Sequence, residues 1–298
     1  MRQKKHFLEF AHGSLAPRSE KPRKIGITDV FDPIPPEVLE RYGEYIDSVK
    51  LLDPTLWAPS ETIERAIALY KQHNIEVHVG GIPEEICSLS GKMDEFLAEA
   101  KRLGVDIIEY ETHVIKPEID QIKREVQKLK KMGFKVYSEV GAKWWWKDKT
   151  RISRDVIKID KTIEDFELYL KSGCDKVIWE GLIVQNLIGK RLDNKEGQKA
   201  LLEVAEAVGP ENIIFELWGV GLTDLEPFRL ISWLIYQFGP EVNIANIWSQ
   251  QVPLLESLRR GTLYEMDHPY MRWLKEGKPI PNWWRMEPPP YDIGLERG

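Results

Sequence analysis

Short runs of β-branched and aromatic residues recur along the chain, and each is followed by a longer segment with apolar residues at helical spacing. Eight runs of this kind end at Asp29, Leu51, Gly81, Glu111, Gly141, Gly181, Trp218 and Ile247. Segments such as "PSETIERAIALYKQHN" and "QKALLEVAEAVG" lie between them, and several end in glycine, as helices with a left-handed C-terminal cap do. The pattern predicts eight alternations of strand and helix.

This alternation favours an α/β fold with a single (β/α)8 TIM barrel. The strand starts lie about 20 to 40 residues apart, so each crossover is long enough to join parallel strands. A doubly wound open sheet shows the same alternation, although no glycine-rich dinucleotide fingerprint follows the first strand. We expect the barrel at residues 21–267, an N-terminal arm at 1–20 and a Trp/Pro-rich C-terminal tail at 268–298.

The composition narrows the classes of partner. The 298 residues are 42% hydrophobic and 30% charged, with a net charge of -6, which is typical of a globular protein and argues against nucleic-acid binding. The N-terminus lacks the apolar core of a signal peptide, and no window approaches a membrane span. The two cysteines, Cys87 and Cys174, indicate neither a disulfide framework nor a zinc site. We expect a cytoplasmic protein without nucleic-acid or membrane partners.

Polar residues stand where the predicted strands end. These are Asp29, Lys50, Glu109, Glu111, Glu139, Glu180, Glu216 and Asn246. Active sites of such barrels form at these strand ends, and alternation places Glu139, Glu180 and Glu216 at one rim. Like charges in a cleft need a cation, a raised pKa or an interleaved lysine, and oxygen ligands suit Mg²⁺. We predict a Mg²⁺ site at these glutamates; the alternative is a structural ion network with Lys50, Lys143 or an arginine.

Several other residues are candidates for contact with a small-molecule anionic substrate. Lys143 leaves the fifth strand at the mouth, where it can donate a proton or stabilise an enolate, and we place Lys50 with it in the catalytic set. A surface position for Lys143 is the alternative. Gly80 and Gly81 allow backbone N–H groups to approach an anion, although a tight turn alone also uses glycine. Asn246 is a further substrate-binding candidate at a strand end.

Tryptophans also gather near the predicted strand ends. Trp144 belongs to three consecutive tryptophans after the fifth strand, and Trp57, Trp179 and Trp218 lie near other strand ends. They predict a mouth lined by aromatic surface, with Trp144 as a substrate contact; the alternative is that they pack a loop onto the barrel or a neighbouring subunit. His78 is interpreted as a hydrogen-bonded core residue and stays outside the catalytic set.

Several stretches give the chain a family resemblance, among them "IEVHVGGIPEE", "SEVGAK", "YLKSGCDKVIWEG" and "VNIANIWSQQVPLLESLRRG". In their order and spacing the chain resembles the phosphosulfolactate synthase family from about Lys21 to Gly261. The resemblance implies a (β/α)8 barrel that adds sulfite to phosphoenolpyruvate with Mg²⁺, on the route to coenzyme M, and a homo-oligomer. It implies an acid role for Lys143, and it aligns Glu139 and Glu180 with strand-end carboxylates of the family.

The chain departs from the family pattern at the mouth. Ile82 stands where the family typically has threonine, Ala142 replaces a lysine, and Leu182 stands where the family has arginine. These changes remove polar or positive groups that a phosphate or sulfonate would need. Two alternatives therefore remain: a barrel enzyme using enolate chemistry on another organic acid without sulfite, and a non-catalytic stress-associated relative.

Overall fold

Eight parallel strands close into a barrel. The structure is a computed structural model that describes residues 18–112, 114–141, 146–147, 150–151, 157–189, 191–217, 226–263, 266, 270–271 and 274–277. The strands are β1 (Thr28–Phe31), β2 (Ser48–Leu51), β3 (Glu76–Val79), β4 (Ile107–Tyr110), β5 (Lys135–Val140), β8 (Lys176–Trp179), β9 (Ile213–Glu216) and β10 (Ile244–Ile247). They are hydrogen-bonded in that order, and β10 pairs with β1. The predicted (β/α)8 TIM barrel is confirmed.

Helices connect the strands. They are α1 (Pro36–Tyr42), α2 (Asp53–Leu56), α3 (Ser60–Gln72), α4 (Gly81–Leu89), α5 (Met93–Leu103), α6 (Ile119–Lys131), α7 (Ile159–Ser172), α8 (Gly181–Ile188), α9 (Lys195–Val208), α10 (Glu226–Phe238) and α11 (Val252–Arg259). A two-stranded antiparallel ribbon, β6 (Trp146–Lys147) and β7 (Thr150–Arg151), lies between β5 and α7. Gly104 and Gly173 cap α5 and α7 with φ of 83° and 109°, a left-handed conformation that glycine adopts without steric cost. None of the described helices is both long and apolar enough to cross a membrane.

The strands separate two hydrophobic layers. Their outer faces pack against the helices, while a small inner cluster fills the barrel and consists of Ile107, Tyr137, Ile178, Ile214 and Ala245. Side chains two positions apart on a strand share a face. Polar residues therefore lie directly above this inner cluster, on the side where the strands end.

The opposite end of the barrel is closed by arginines. Arg259 of α11 is fully buried and donates hydrogen bonds to the carbonyl oxygens of Gly26, Ile27 and Val242 at 2.5, 3.2 and 2.9 Å. Arg18 forms ion pairs with Glu241 and Glu256 at 2.6 and 3.1 Å. These contacts join the starts of β1 and β10 to α11. Arg18 lies inside the predicted arm at 1–20, and the division into arm, barrel and tail stays a prediction.

Candidate active site

Three buried carboxylates meet at the mouth of the barrel. Glu139, Glu180 and Glu216 come two positions after Tyr137, Ile178 and Ile214 of the inner cluster and are 5%, 2% and 3% exposed. Each offers one oxygen, and the three oxygens lie within 4.8 Å of one another. The structure thus brings together the residues that the sequence predicts as metal ligands. We call this group the carboxylate cluster.

The dimensions of the carboxylate cluster fit a hard divalent cation. Mg²⁺ binds oxygens at about 2.1 Å, so opposite ligands stand roughly 4.2 Å apart, whereas Ca²⁺ at about 2.4 Å tolerates roughly 4.8 Å. Oxygens that all lie within 4.8 Å of one another are therefore close enough to share one ion of either kind. The all-oxygen donor set and the concentration of negative charge in a buried place both favour such an ion.

Backbone amides at the start of α8 hold two members of the cluster. Oε2 of Glu180 accepts hydrogen bonds from the N–H groups of Leu182 and Ile183 at 3.0 and 3.3 Å, which makes Glu180 the N-terminal cap of α8. The N–H of Gly181 donates to Oε2 of Glu216 at 3.3 Å. These contacts fix both carboxylates on the rigid junction between a strand and a helix.

Gly141 makes room for this junction at the end of β5. Its φ is 112°, and a Cβ atom there would lie 2.5 Å from Cδ1 of Ile183 and 3.2 Å from Cβ of Glu180. A larger residue would therefore displace the side chain of Ile183, press against Glu180 and strain the backbone. The glycine that ends the fifth predicted strand has a packing role beside the carboxylate cluster.

Lys50 links the carboxylate cluster to the rest of the interior. Its Nζ atom lies 2.9 Å from Oε2 of Glu109 and 3.1 Å from Oε1 of Glu216, with the side chain 7% exposed. Burial opposes the charged form, but the carboxylates, chiefly Glu109 and then Glu216, outweigh burial and raise the pKa of Lys50 well above its usual value. The ammonium therefore stays charged and acts as an electrostatic anchor. The ion network that the sequence offers as an alternative therefore exists between Lys50, Glu109 and Glu216. Glu216 belongs both to this network and to the carboxylate cluster.

His78 extends the same network across the barrel. Its Nδ1 lies 3.0 Å from Oδ2 of Asp29, and its Nε2 lies 3.0 Å from Oε2 of Glu109. Ser48 donates to the other oxygen of Asp29 at 2.7 Å. Burial alone would lower the pKa of His78, but Asp29 and Glu109 raise it. The expectation of a hydrogen-bonded core histidine is confirmed. The sequence analysis missed its link to Asp29 and Glu109, although its position between Val77 and Val79 indicates an inward side chain.

The remaining predicted site residues lie outside the carboxylate cluster or outside the described residues. Gly80 precedes α4 and Gly81 is its first residue, where a Cβ atom would collide with the carboxylate of Glu111. Close packing against Glu111 therefore explains on its own why position 81 is a glycine. A substrate contact for Gly80 or Gly81 stays a prediction. Asn246 lies on β10 and is 7% exposed. Lys143 and Trp144 lie outside the described residues.

The prediction that Trp179 lines the mouth is wrong. Trp179 is fully buried on the outer face of β8, with its ring 5.3 Å from that of Phe166 and 6.1 Å from that of Phe215. Because Ile178 points into the barrel, its neighbour must point toward the helices. Trp57 is 88% exposed. Trp145 and Trp218 lie outside the described residues, and an aromatic lining of the mouth by tryptophans other than Trp179 stays a prediction.

A cavity of about 830 Å³ opens beside the carboxylate cluster. Glu139 and Gly141 form part of its wall, which connects it to the cluster. Apolar side chains from α4, β5, α6 and α7 line much of it, namely Ile82, Ile86, Leu89, Val140, Ile122 and Leu168. Lys116 and Lys161 also line it. The space next to the cluster therefore suits a ligand with an apolar body.

Comparison with known proteins identifies the family. The model of the (2R)-phospho-3-sulfolactate synthase (ComA) family matches residues 16–265. The chain belongs to the phosphosulfolactate synthase family. The phosphosulfolactate synthase of Methanocaldococcus jannaschii is 33% identical over 249 residues, which cover 79% of this chain and 91% of the relative. The one of Methanothermobacter thermautotrophicus is 28% identical over 82% of this chain and 92% of its own.

A plant relative has a different name. Protein HEAT-STRESS-ASSOCIATED 32 of Arabidopsis thaliana is 25% identical over 275 residues, covering 84% of this chain and 91% of the relative. The resemblance found in the sequence is thus confirmed, and the chain is a divergent member of a family with lyase-type enzymes and a stress-associated protein among its relatives.

Removal of the Lys50 ammonium tests the buried ion network. Lys50→Met leaves Glu109 and Glu216 buried without this partner, so we expect the free energy of unfolding to fall by about 3–5 kcal/mol in urea titrations. Adding Glu216→Gln removes one of the two charges, and the double variant should lose less than the sum of the single changes. Lys171→Met, at an exposed ion pair with Glu167, serves as the control and should unfold like the wild type. A Lys50→Met variant as stable as the wild type would contradict the assignment.

Glu84 of α4 predicts a measurable pH dependence of stability. Burial, followed by the charges of Glu125 and Glu85, raises the pKa of Glu84 to about 9. The folded protein retains a proton that the unfolded chain releases, so this contribution to stability is complete below about pH 4.5 and is lost as the pH rises toward 9. Glu84→Gln cannot ionise, and we expect it to gain stability over the wild type progressively from pH 5 to pH 9. Urea midpoints at several pH values measure this, with the exposed Glu206→Gln as control; parallel curves for wild type and Glu84→Gln would refute it.

Proposed function

We propose that the protein catalyses the Mg²⁺-dependent addition of sulfite to phosphoenolpyruvate, forming phosphosulfolactate. Membership of the phosphosulfolactate synthase family supports this activity. The observation that carries it is the carboxylate cluster, which joins Glu139, Glu180 and Glu216 at the strand ends of a barrel, where such enzymes have their active sites.

The reaction requires stabilisation of negative charge. Sulfite sulfur bonds to the methylene carbon of phosphoenolpyruvate, the double-bond electrons move toward the adjacent carbon and the carboxylate, and a proton then adds to that carbon. A bound Mg²⁺ would stabilise the charge that develops on the substrate carboxylate. Glu139, Glu180 and Glu216 would hold the ion, while the ammonium of Lys50 orients Glu216 and adds a fixed positive charge nearby.

We assign the proton to Lys143, in keeping with the family resemblance. An ammonium beside carboxylates keeps its proton until a stronger base, the carbanion, forms next to it. We also infer a homo-oligomer and a cytoplasmic location from the family; both stay predictions.

A second candidate is enolate chemistry on another organic acid, without sulfite. The cavity beside Glu139 favours it, because its walls are largely apolar and Ile82 is 44% exposed where a small dianion would need polar partners. A non-catalytic role in stress is the third, and the plant relative HEAT-STRESS-ASSOCIATED 32 fits it.

A turnover assay distinguishes the three candidates. Purified protein with phosphoenolpyruvate, sulfite and Mg²⁺ should form phosphosulfolactate, lose activity with a chelator and regain it with added Mg²⁺. Glu180→Gln should lower the affinity for Mg²⁺ and reduce kcat at least about 100-fold, and Lys143→Ala should reduce kcat with KM nearly unchanged. Lys171→Ala on the exposed face of α7 should match the wild type.

The other outcomes reject the leading proposal in different ways. Cation binding without consumption of phosphoenolpyruvate would favour another acid as substrate. Absence of cation binding, with the cluster tolerant of glutamine, would favour the non-catalytic role. Full turnover by Lys143→Ala would contradict the assignment of Lys143 as the proton donor.

A further inference from the structure

Strand β10 contains an extra residue opposite β1. Thr28 pairs with Ile244, and Val30 pairs with Ile247, so one residue of β1 lies opposite two residues of β10. Those two are Ala245 and Asn246, and the one opposite them is Asp29. Asn246 has a φ of 61°, the left-handed conformation that residues other than glycine seldom adopt. This arrangement is a β-bulge, which turns side chains away from strict alternation.

The bulge changes the direction in which Asn246 points. Ile244 packs in the outer core, which is the hydrophobic layer between the strands and the helices, whereas Ala245 belongs to the inner cluster. Strict alternation would therefore direct Asn246 outward and Ile247 inward. Ile247 instead packs in the outer core, which shows that the alternation shifts at Asn246. Asp29, opposite the bulge, points inward because its carboxylate contacts His78. Asn246 therefore faces the interior at the barrel mouth.

The amide of Asn246 carries an unsatisfied group. The residue is 7% exposed, and its Oδ1 atom has no hydrogen-bond partner among the described residues. A buried acceptor without a partner destabilises the folded protein, and so does the left-handed backbone of an asparagine. Two unfavourable features at one mouth residue indicate that a ligand compensates for them.

The position of Asn246 on β10 favours a cation as that ligand. Ala245 pairs with Glu216, so the next residue continues the arc of side-chain oxygens from β5, β8 and β9 to β10. Amide oxygens are good ligands for Mg²⁺ and Ca²⁺, which require at least six oxygens and would find three in the carboxylate cluster. We propose that Asn246 is a fourth oxygen donor of the cation site, which its Oδ1 reaches directly or through one bound water. This inference rests on the cation of the proposed function.

Two glycine variants distinguish a cation-binding role of Asn246 from the alternative that an asparagine is merely tolerated in a left-handed conformation there. Asn74, at the end of α3, has a φ of 54° and an exposed side chain far from β10 in sequence. Asn246→Gly and Asn74→Gly relieve the same left-handed conformation, so both should keep or raise the melting temperature in a chelator. Only Asn246→Gly should weaken the binding of Mn²⁺ and Mg²⁺ in calorimetry, by about 10-fold or more. Asn246→Asp keeps an oxygen at this place and should bind the ions at least as tightly as the wild type.

Each outcome bears on the inference separately from the substrate. Wild-type affinity in Asn246→Gly overturns it, whether or not phosphoenolpyruvate is consumed. Weaker ion binding in Asn246→Gly alone supports it even if sulfite and phosphoenolpyruvate prove to be the wrong substrates. A wild type that binds neither ion overturns both the inference and the cation of the proposed function.

Discussion

Burial of charge inside the barrel is the constraint that organises this protein. Asp29, His78, Glu109, Lys50 and Glu216 form a continuous series in which carboxylates alternate with basic groups at 2.9 to 3.1 Å. Each group is taken out of water, and only close partners of opposite charge offset that loss of hydration. The apolar inner cluster borders the series, since the ring of its Tyr137 lies 5.5 Å from that of His78. The series therefore fixes where Glu216 stands before any ligand arrives.

The same network positions part of the carboxylate cluster. Lys50 contacts Glu109 and Glu216, and His78 contacts Asp29 and Glu109, so one side of the mouth is held by ion pairs. Glu216 also belongs to the group whose oxygens lie within 4.8 Å of those of Glu139 and Glu180. The ion pairs of the barrel interior therefore fix one member of the carboxylate cluster, while the amides of α8 hold another.

The sequence predicted the barrel and the carboxylate cluster because both follow from short-range rules. Runs of β-branched residues mark the strands, and the ends of parallel strands meet at one rim, so Glu139, Glu180 and Glu216 were expected together. Trp179 was placed wrongly, although the inward position of Ile178 implies the opposite face for its neighbour. The bulge at Asn246 was out of reach, because an extra residue is visible only when β10 is paired with β1. Lys50 and Glu109 were visible as polar strand ends, but only the closed barrel brings them into contact.

The departures from the family pattern have unequal effects on the site. Leu182 is 4% exposed in the first turn of α8, where its backbone N–H supports Glu180 and its side chain packs inside the protein. Ile82, in contrast, is 44% exposed and forms part of the cavity wall. The first change alters packing, whereas the second alters what a ligand meets beside Glu139. Neither change removes a group that holds the carboxylate cluster, because the amides of α8 and the ammonium of Lys50 contact Glu180 and Glu216. Divergence at these two positions therefore alters the wall of the cavity beside the cluster and leaves the contacts that position the cluster in place.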